Sequence, residues 1–340
     1  MNVQNPLIEI RTGSDSDMPK IKATYELLNE LGLEFSARIL SAHRTPNRMA
    51  SEARNLSDNG FRVCIAAAGG SAHLPGMTAS ETSVPVIGLP VYSSIFSGLD
   101  ALYSIIQMPN GIPVGTVGPG CAKTAAVAAA QIVALDKPEI RIKIRKLMSI
   151  KNPLPEYKNL SPLIGIVRQQ KFKTDEKKYA ELRALLSEFG ISCLEMEADE
   201  HLPKNLHFLE LSGGLAIISI GHFDKIKNKY LFPATGATDL PVIGMPVWLD
   251  GMQNEPENSA NIIDSLFEDE NEKTAPINMM GFNRYINAAL YAAQIAGLYF
   301  KAIGNELSTF KKQLAQSVID KDEMLKRDGI TALAGMKETK

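Results

Sequence analysis

The chain is poor in everything that would hold a metal, cross a membrane or grip nucleic acid. Its three cysteines, Cys64, Cys121 and Cys193, are scattered and form no CxxC pair. They read as reduced, mostly buried thiols of a cytoplasmic protein, with no disulfide framework or thiolate metal site. The net charge of −2 offers no basic field for nucleic acid and no polybasic membrane anchor. The longest apolar runs, such as AAVAAAQIVAL, fall short of the roughly 20 residues of a bilayer span. The opening MNVQNPLIEI lacks the basic region and hydrophobic stretch of a signal peptide. There is no GxxxxGK[ST], no GxGxxG, no HExxH and no GxSxG. No metal or other cofactor is therefore expected. Histidine is scarce too, at five residues, and one of them sits inside the compact polar stretch SAHRTP at 41–46.

What is present is enough apolar sequence for full cores: 45% of the 340 residues are hydrophobic and 22% charged. That length suits two domains better than one. An internal repeat says the same. VPVIGLPV starts at Val84 and LPVIGMPV at Leu240, 156 positions on, and the same offset aligns PLIEI at Pro6 with PLIGI at Pro162. Later, AAQIVAL at Ala129 matches AAQIAGL at Ala292 with an offset of 163, so the second copy carries seven extra residues in or near the acidic segment 254–276. The expected organisation is a first unit at 1–150, a proline-rich linker at 151–161, a second unit at 162–305 and a mixed-charge tail at 306–340, read as an exposed helix or disordered.

In the first unit short apolar runs alternate with helical periods. PLIEIRT, EFSARIL, FRVCIAAA, VPVIGLPV and IPVGTVG read as strands. Residues 19–31 place Ile21, Tyr25, Leu28 and Leu31 on one helical face, with Pro19 at the start and Gly32 at the stop. A second helix follows Thr45 and Pro46, and an Ala-rich one covers about 122–135. Continuous apolar strands alternating with helices predict parallel sheets covered on both faces. The fold class expected is α/β: two tandem three-layer, flavodoxin-like domains.

Ligands of such sheets bind beyond the carboxyl ends of the strands, at helix N-termini. Three consecutive strand-to-helix loops carry polar clusters there: GSDSD at 13–17, SAHRTP at 41–46 and AGGSAHLPG at 68–76. Each alone could be turn and cap chemistry. Together they should converge on one sheet edge. Their hydroxyls, backbone amides and Arg44 suit a phosphate, and Asp17 would accept hydrogen bonds from ribose hydroxyls. His43 is suited to moving a proton at neutral pH. The residues thus point to a phosphoribosyl-type ligand and histidine acid/base chemistry.

These motifs, with PVIGLPV and GLDALYSIIQMPNGIPVGTV, closely resemble the N5-carboxyaminoimidazole ribonucleotide (N5-CAIR) mutases, the family of the aminoimidazole ribonucleotide (AIR) carboxylase catalytic subunit, in order through about residues 7–148. The resemblance implies a purine-biosynthetic isomerase that moves a carboxylate from the exocyclic amine of N5-CAIR to carbon 4 of the imidazole. It implies His43 as the catalytic histidine and His73 as a second histidine lining the pocket. Ser14, Asp17 and Arg44 match substrate-binding positions, and Gly69, Gly70 and Ser71 the loop that closes over imidazole and carboxylate. Ser16, Ser41 and Leu74, in the same motifs, complete the substrate set. Departures are Met18 where an aromatic is usual, Ser71 for a common alanine, and Thr124 where the family tends to have asparagine, a residue the second copy keeps as Asn287.

The second copy keeps strands and loses chemistry. Opposite GSDSD stands RQQKF (168–172), opposite SAHRTP stands EADEHLP (197–203), and opposite the glycine loop stands GHFDKIKNKYLFPATG (221–236). His201 and His222 read as structural or solvated, not in the matched positions with their partners. The expectation is a degenerate repeat, and a homo-oligomer: a tetramer of two-domain chains imitating the family's octamer, or an octamer. A regulatory role for the second copy is the alternative. The partner expected is a small ribonucleotide, with neither nucleic acid nor membrane. Two other readings remain open here, an AIR carboxylase that takes up CO2 directly and a non-enzymatic ribonucleotide sensor. GGSAHLPGM sides with the mutase.

Overall fold

The computed structural model describes residues 6–92, 97–152, 154, 156, 159–169, 175–224, 229–247, 266 and 276–329. In the first half, β1 (Ile8–Thr12), β2 (Phe35–Ile39), β3 (Val63–Ala68), β4 (Val86–Pro90) and β5 (Gly115–Thr116) alternate with α1 (Lys22–Leu31), α2 (Pro46–Arg54), α3 (His73–Glu81), α4 (Leu99–Ile106), α5 (Ala122–Val133) and α6 (Pro138–Leu147). The helix expected from Pro19 differs at its start. Ser14 caps a 3-10 helix over Asp15–Ile21, with Pro19 inside it, and regular α geometry begins only at Lys22. It ends as expected, on Gly32 in the left-handed conformation.

The second half repeats this with β6 (Leu163–Arg168), α7 (Glu176–Glu188), β7 (Ser192–Glu197), α8 (Leu202–Leu211), β8 (Ala216–Asp224), β9 (Lys229–Leu231), β10 (Val242–Pro246), β11 (Asn278–Met279) and α9 (Tyr285–Gly297), then a long α10 (Lys301–Asp328). Strand order is 2-1-3-4-5 in the first half and, reading inward, 7-6-8-10-11 in the second. The first is the flavodoxin-like order. Registers correspond as well: Ile8 pairs with Val63 and Ile164 with Ala216, while Gly88 pairs with Thr116 and Gly244 with Met279.

The two expected sheets are joined into one. β5 and β11 pair antiparallel through Thr116 and Met279, so a single sheet runs from β2 to β7. One apolar core likewise extends from Ile8 to Leu307 through both halves, with a second cluster beneath α2 and α3 in the first half. The seam is tight because Gly115 has no Cβ: one placed there would meet the Tyr291 hydroxyl at 2.7 Å. Across it, Gln131 donates to the Leu240 carbonyl and the Tyr299 hydroxyl to the Ile132 carbonyl.

Charge also crosses the seam. Arg141 and Arg145 of α6 meet Asp239, in the loop before β10, and Arg145 meets Glu210 of α8; all four are nearly inaccessible to solvent. Burial holds the Glu210 carboxyl above its usual range, against a hydrogen bond from Thr238.

The described part of the tail is helical and largely exposed, one of the two expected forms. Its helix α10 begins before the expected boundary at 305/306, at Lys301, and buries Ile303 and Leu307. It crosses α9 where Gly297 and Gly304 allow close backbone approach. Most of the acidic segment 254–276 lies outside the described residues.

Candidate active site

The three polar loops of the first half converge, because β2, β1 and β3 are adjacent parallel strands and all three loops leave the same edge. After β1, the Ser14 hydroxyl accepts hydrogen bonds from the Ser16 amide and hydroxyl. Asp17 lies 3.5 Å from the Lys20 ammonium, which also donates to the Tyr92 carbonyl. After β2, Ser41 accepts from the Arg44 amide, and the Arg44 guanidinium reaches over to donate to the Gly13 carbonyl at 2.9 Å. That bond ties the first loop to the second and leaves most of Arg44 exposed.

After β3, the two glycines serve different ends. A Cβ at Gly69 would stand 3.2 Å from the Val91 carbonyl, whereas Gly70 has φ of +62°, which strains any side chain. The turn carries exposed Ser71 and delivers His73 as the first residue of α3. His43 Nε2 and His73 Nδ1 are 2.8 Å apart, with the rings nearly perpendicular at 79°. A bond that short needs one nitrogen protonated and the other bearing its lone pair. The pair is therefore built to hold a single proton between two rings in reach of solvent.

Leu74 is the expected residue that does not join the others: its side chain is 2% exposed, packed in the cluster beneath α2 and α3. Only its backbone lies near the turn. Two groups beside the loops went unread in the sequence. Lys20 could have been found from its i,i+3 spacing to Asp17. Asp100 of α4, whose carboxylate stands 3.9 Å from a Cβ built on Gly70, gave no local signal.

The second half presents a different edge. His201 occupies the register position of His43, four residues past the last strand residue, but without that residue's partners. Leu202 follows it where Arg44 follows His43, and its ring lies 3.8 Å from Glu200, not against a second imidazole. Glu195, Glu197 and Asp199 line the same edge beside Lys204, with Glu195 paired to Arg183, so Glu197 and Asp199 stand where the first half has Arg44 and hydroxyls. Gly69 is matched by His222, since Ala68 and Gly221 hold the same register against Pro90 and Pro246. Here β8 does not turn into a helix but runs on and folds back antiparallel on β9.

Burial pushes the His222 imidazole down to about 4 from its ordinary 6.5. The unfolded chain then binds more protons across that window, so stability falls as pH drops from 6.5 towards 4, by roughly 3 kcal/mol. Urea unfolding of the wild type and His222→Gln at pH 7 and pH 4 tests this: the variant should lose distinctly less on acidification, and equal losses would refute it.

The AIR carboxylase family model matches residues 7–152. The N5-carboxyaminoimidazole ribonucleotide mutase of Thermotoga maritima is 50% identical over 141 residues, which is 42% of this chain and 82% of that protein. The chain belongs to the AIR carboxylase family. The mutase of Pyrococcus horikoshii is 48% identical over 44% of this chain and 84% of its own. A relative with the other name, the phosphoribosylaminoimidazole carboxylase of Schizosaccharomyces pombe, is 44% identical over 43% of this chain and 26% of its own length. A crystal structure of Treponema denticola PurE shares 32% identity over 42% of this chain and 90% of its own, with a TM-score of 0.39. The family match thus covers the half that carries the three converging loops. Among the described residues, no helix is long and apolar enough to cross a membrane.

Proposed function

We propose that this chain is an N5-CAIR mutase of purine biosynthesis, converting N5-CAIR to 4-carboxyaminoimidazole ribonucleotide (CAIR). The observation that carries the reading is the His43–His73 pair, set among phosphate-suited loops in a half that shares 50% identity with a named mutase. Ser14, Ser16, Ser41 and the Arg44 guanidinium hold the ribose phosphate, since hydroxyls and a planar cation match its oxygens. Asp17, steadied by Lys20, accepts from the ribose hydroxyls. The turn of Gly69, Gly70 and Ser71 lies against the imidazole and carboxylate, its shape set by the positive φ of Gly70 and the close approach of Gly69 to the Val91 carbonyl.

The chemistry needs two proton transfers, one to nitrogen and one from carbon. Protonation of the exocyclic nitrogen breaks its bond to the carboxylate and releases CO2 and AIR in the site. Carbon 4 then attacks the CO2, and its own proton returns to the histidine, so the reaction closes with no net proton change. Holding CO2 beside the ring replaces a bimolecular capture with a local one. His43 is the acid and then the base, and His73 fixes its tautomer through the shared hydrogen bond.

The second half is read as a degenerate copy without turnover, its edge acidic and its glycine loop replaced by a hairpin. Assembly into a tetramer of two-half chains follows from that reading, and a sedimentation mass far from four chains would sink it. The carboxylase name borne by one relative makes direct CO2 uptake the competing reaction. Pure protein supplied with N5-CAIR should yield CAIR without ATP. Failure with N5-CAIR, together with efficient conversion of AIR at low bicarbonate, would assign the carboxylase instead.

A further inference from the structure

Helix α3, which delivers His73, is a weak helix. Its sequence HLPGMTASE holds a glycine and a proline, it is nine residues long, and no side chain caps its start at Ala72. A helix that short is marginal by itself and relies on outside contacts to stay formed and aimed. One contact is local: Arg54 of α2 pairs with Glu81 at 2.7 Å. The helix's buried side chains, Leu74, Pro75, Thr78 and Ala79, pack on the first half's own strands and α2, and the other contacts that hold its carboxyl end come from the second half.

The Lys311 ammonium of α10 donates to the carbonyls of Ala79, Ser80 and Thr82, at the carboxyl end of α3. An ammonium has three donors, and here each meets one of the carbonyls that a helix end leaves without a partner. A cation at that end also opposes the helix dipole. Burial pulls the Lys311 pKa down to about 8, partly opposed by Glu81, so the chain bears a desolvation cost to keep this group in place. The next turn of α10 sets Leu314 on Gly111, where any Cβ would meet it at 2.5 Å. From α9, Asn287 accepts from the Gly111 amide and donates to the Met108 and Pro109 carbonyls. Met108 in turn lies over Gly76 in the middle of α3, its sulfur 2.8 Å from where a Cβ would be.

We propose that Lys311 is a positioning residue: by capping the carboxyl end of α3 it aims His73 at His43, so that the second half holds the first half's site in register. At about 1.5 Å per residue, α3 is a rod of roughly 13 Å, and a tilt at its capped end displaces the ring at the other. The inference rests on the assignment of the His43–His73 pair to the mutase reaction.

The test compares Lys311→Met, Lys311→Gln and Lys311→Arg in the full chain, with His43→Asn prepared alongside, each assayed with N5-CAIR. Lys311→Met should lower kcat about tenfold or more, because small displacements of an acid/base pair are costly. KM should stay within about twofold, since the phosphate-side loops after β1 and β2 make no contact with Lys311. Lys311→Arg should recover most of kcat by offering donors to the same carbonyls. A folded Lys311→Met or Lys311→Gln protein with wild-type kcat overturns the proposal. So does failure of both to fold while Lys311→Arg is fully active, which assigns a structural role only. Turnover by His43→Asn would instead overturn the catalytic assignment beneath it.

Discussion

His43→Asn is expected to abolish turnover of N5-CAIR while leaving ribonucleotide binding within a few-fold of wild type. Asparagine is too short to replace Nε2 and gives up the bond to His73, but the loop after β2 keeps its shape through the Ser41, Arg44 and Thr45 hydrogen bonds. It cannot take up or release a proton in the working pH range. General acid/base catalysis is worth about 10²–10⁴ in rate, and the same histidine acts in both halves of the proposed reaction, so kcat should fall towards the upper end of that range. Steady-state kinetics with a parallel binding titration read both quantities. Undiminished kcat would place the acid/base elsewhere. Loss of binding together with kcat would mean that His43 holds the substrate and does not act on it.

The second large effect concerns the seam. Asp239 is fully buried and is shared between two arginines of α6, with its carboxylate 2.5 Å from Arg141 Nε. Together with Glu210, the cluster balances two positive charges with two negative ones. Asp239→Ala would leave two buried guanidinium groups facing one carboxylate. Removing one partner of a buried ion pair costs about 3–5 kcal/mol, because the remaining charge stays desolvated. Chemical denaturation should show a loss of that size, since one sheet and one core span both halves. A loss below about 1 kcal/mol, the range of exposed pairs, would mean that water reaches the cluster and that the halves do not depend on it.

The loops of the candidate site were legible because each is a contiguous stretch at a strand end, and adjacency of parallel strands brings such stretches together without further information. The shared strand text was legible for the same reason, as Val84 and Leu240 begin nearly identical stretches that form β4 and β10. What lay outside sequence reasoning depends on contacts between distant segments. The β5–β11 junction rests on strands of two residues each, too short for any periodicity to reveal. The helical start at Lys22 in place of Pro19 follows from the Ser14 cap, which claims the preceding turn for a 3-10 helix. Lys311 gave no signal, because it is one of several lysines on a mixed-charge helix and only docking on α3 distinguishes it. His201 was obscured by a one-residue shortening before Pro203. Counting from the strand end, rather than aligning motif text, recovers its correspondence to His43.

Under the proposed function each chain carries one working site, built from the three loops of its first half. Titration calorimetry of the full chain with CAIR tests it most directly. The predicted result is one ribonucleotide bound per chain, with binding lost in Arg44→Gln and retained in His201→Gln. Two ribonucleotides per chain, or tight binding that survives Arg44→Gln, would contradict it.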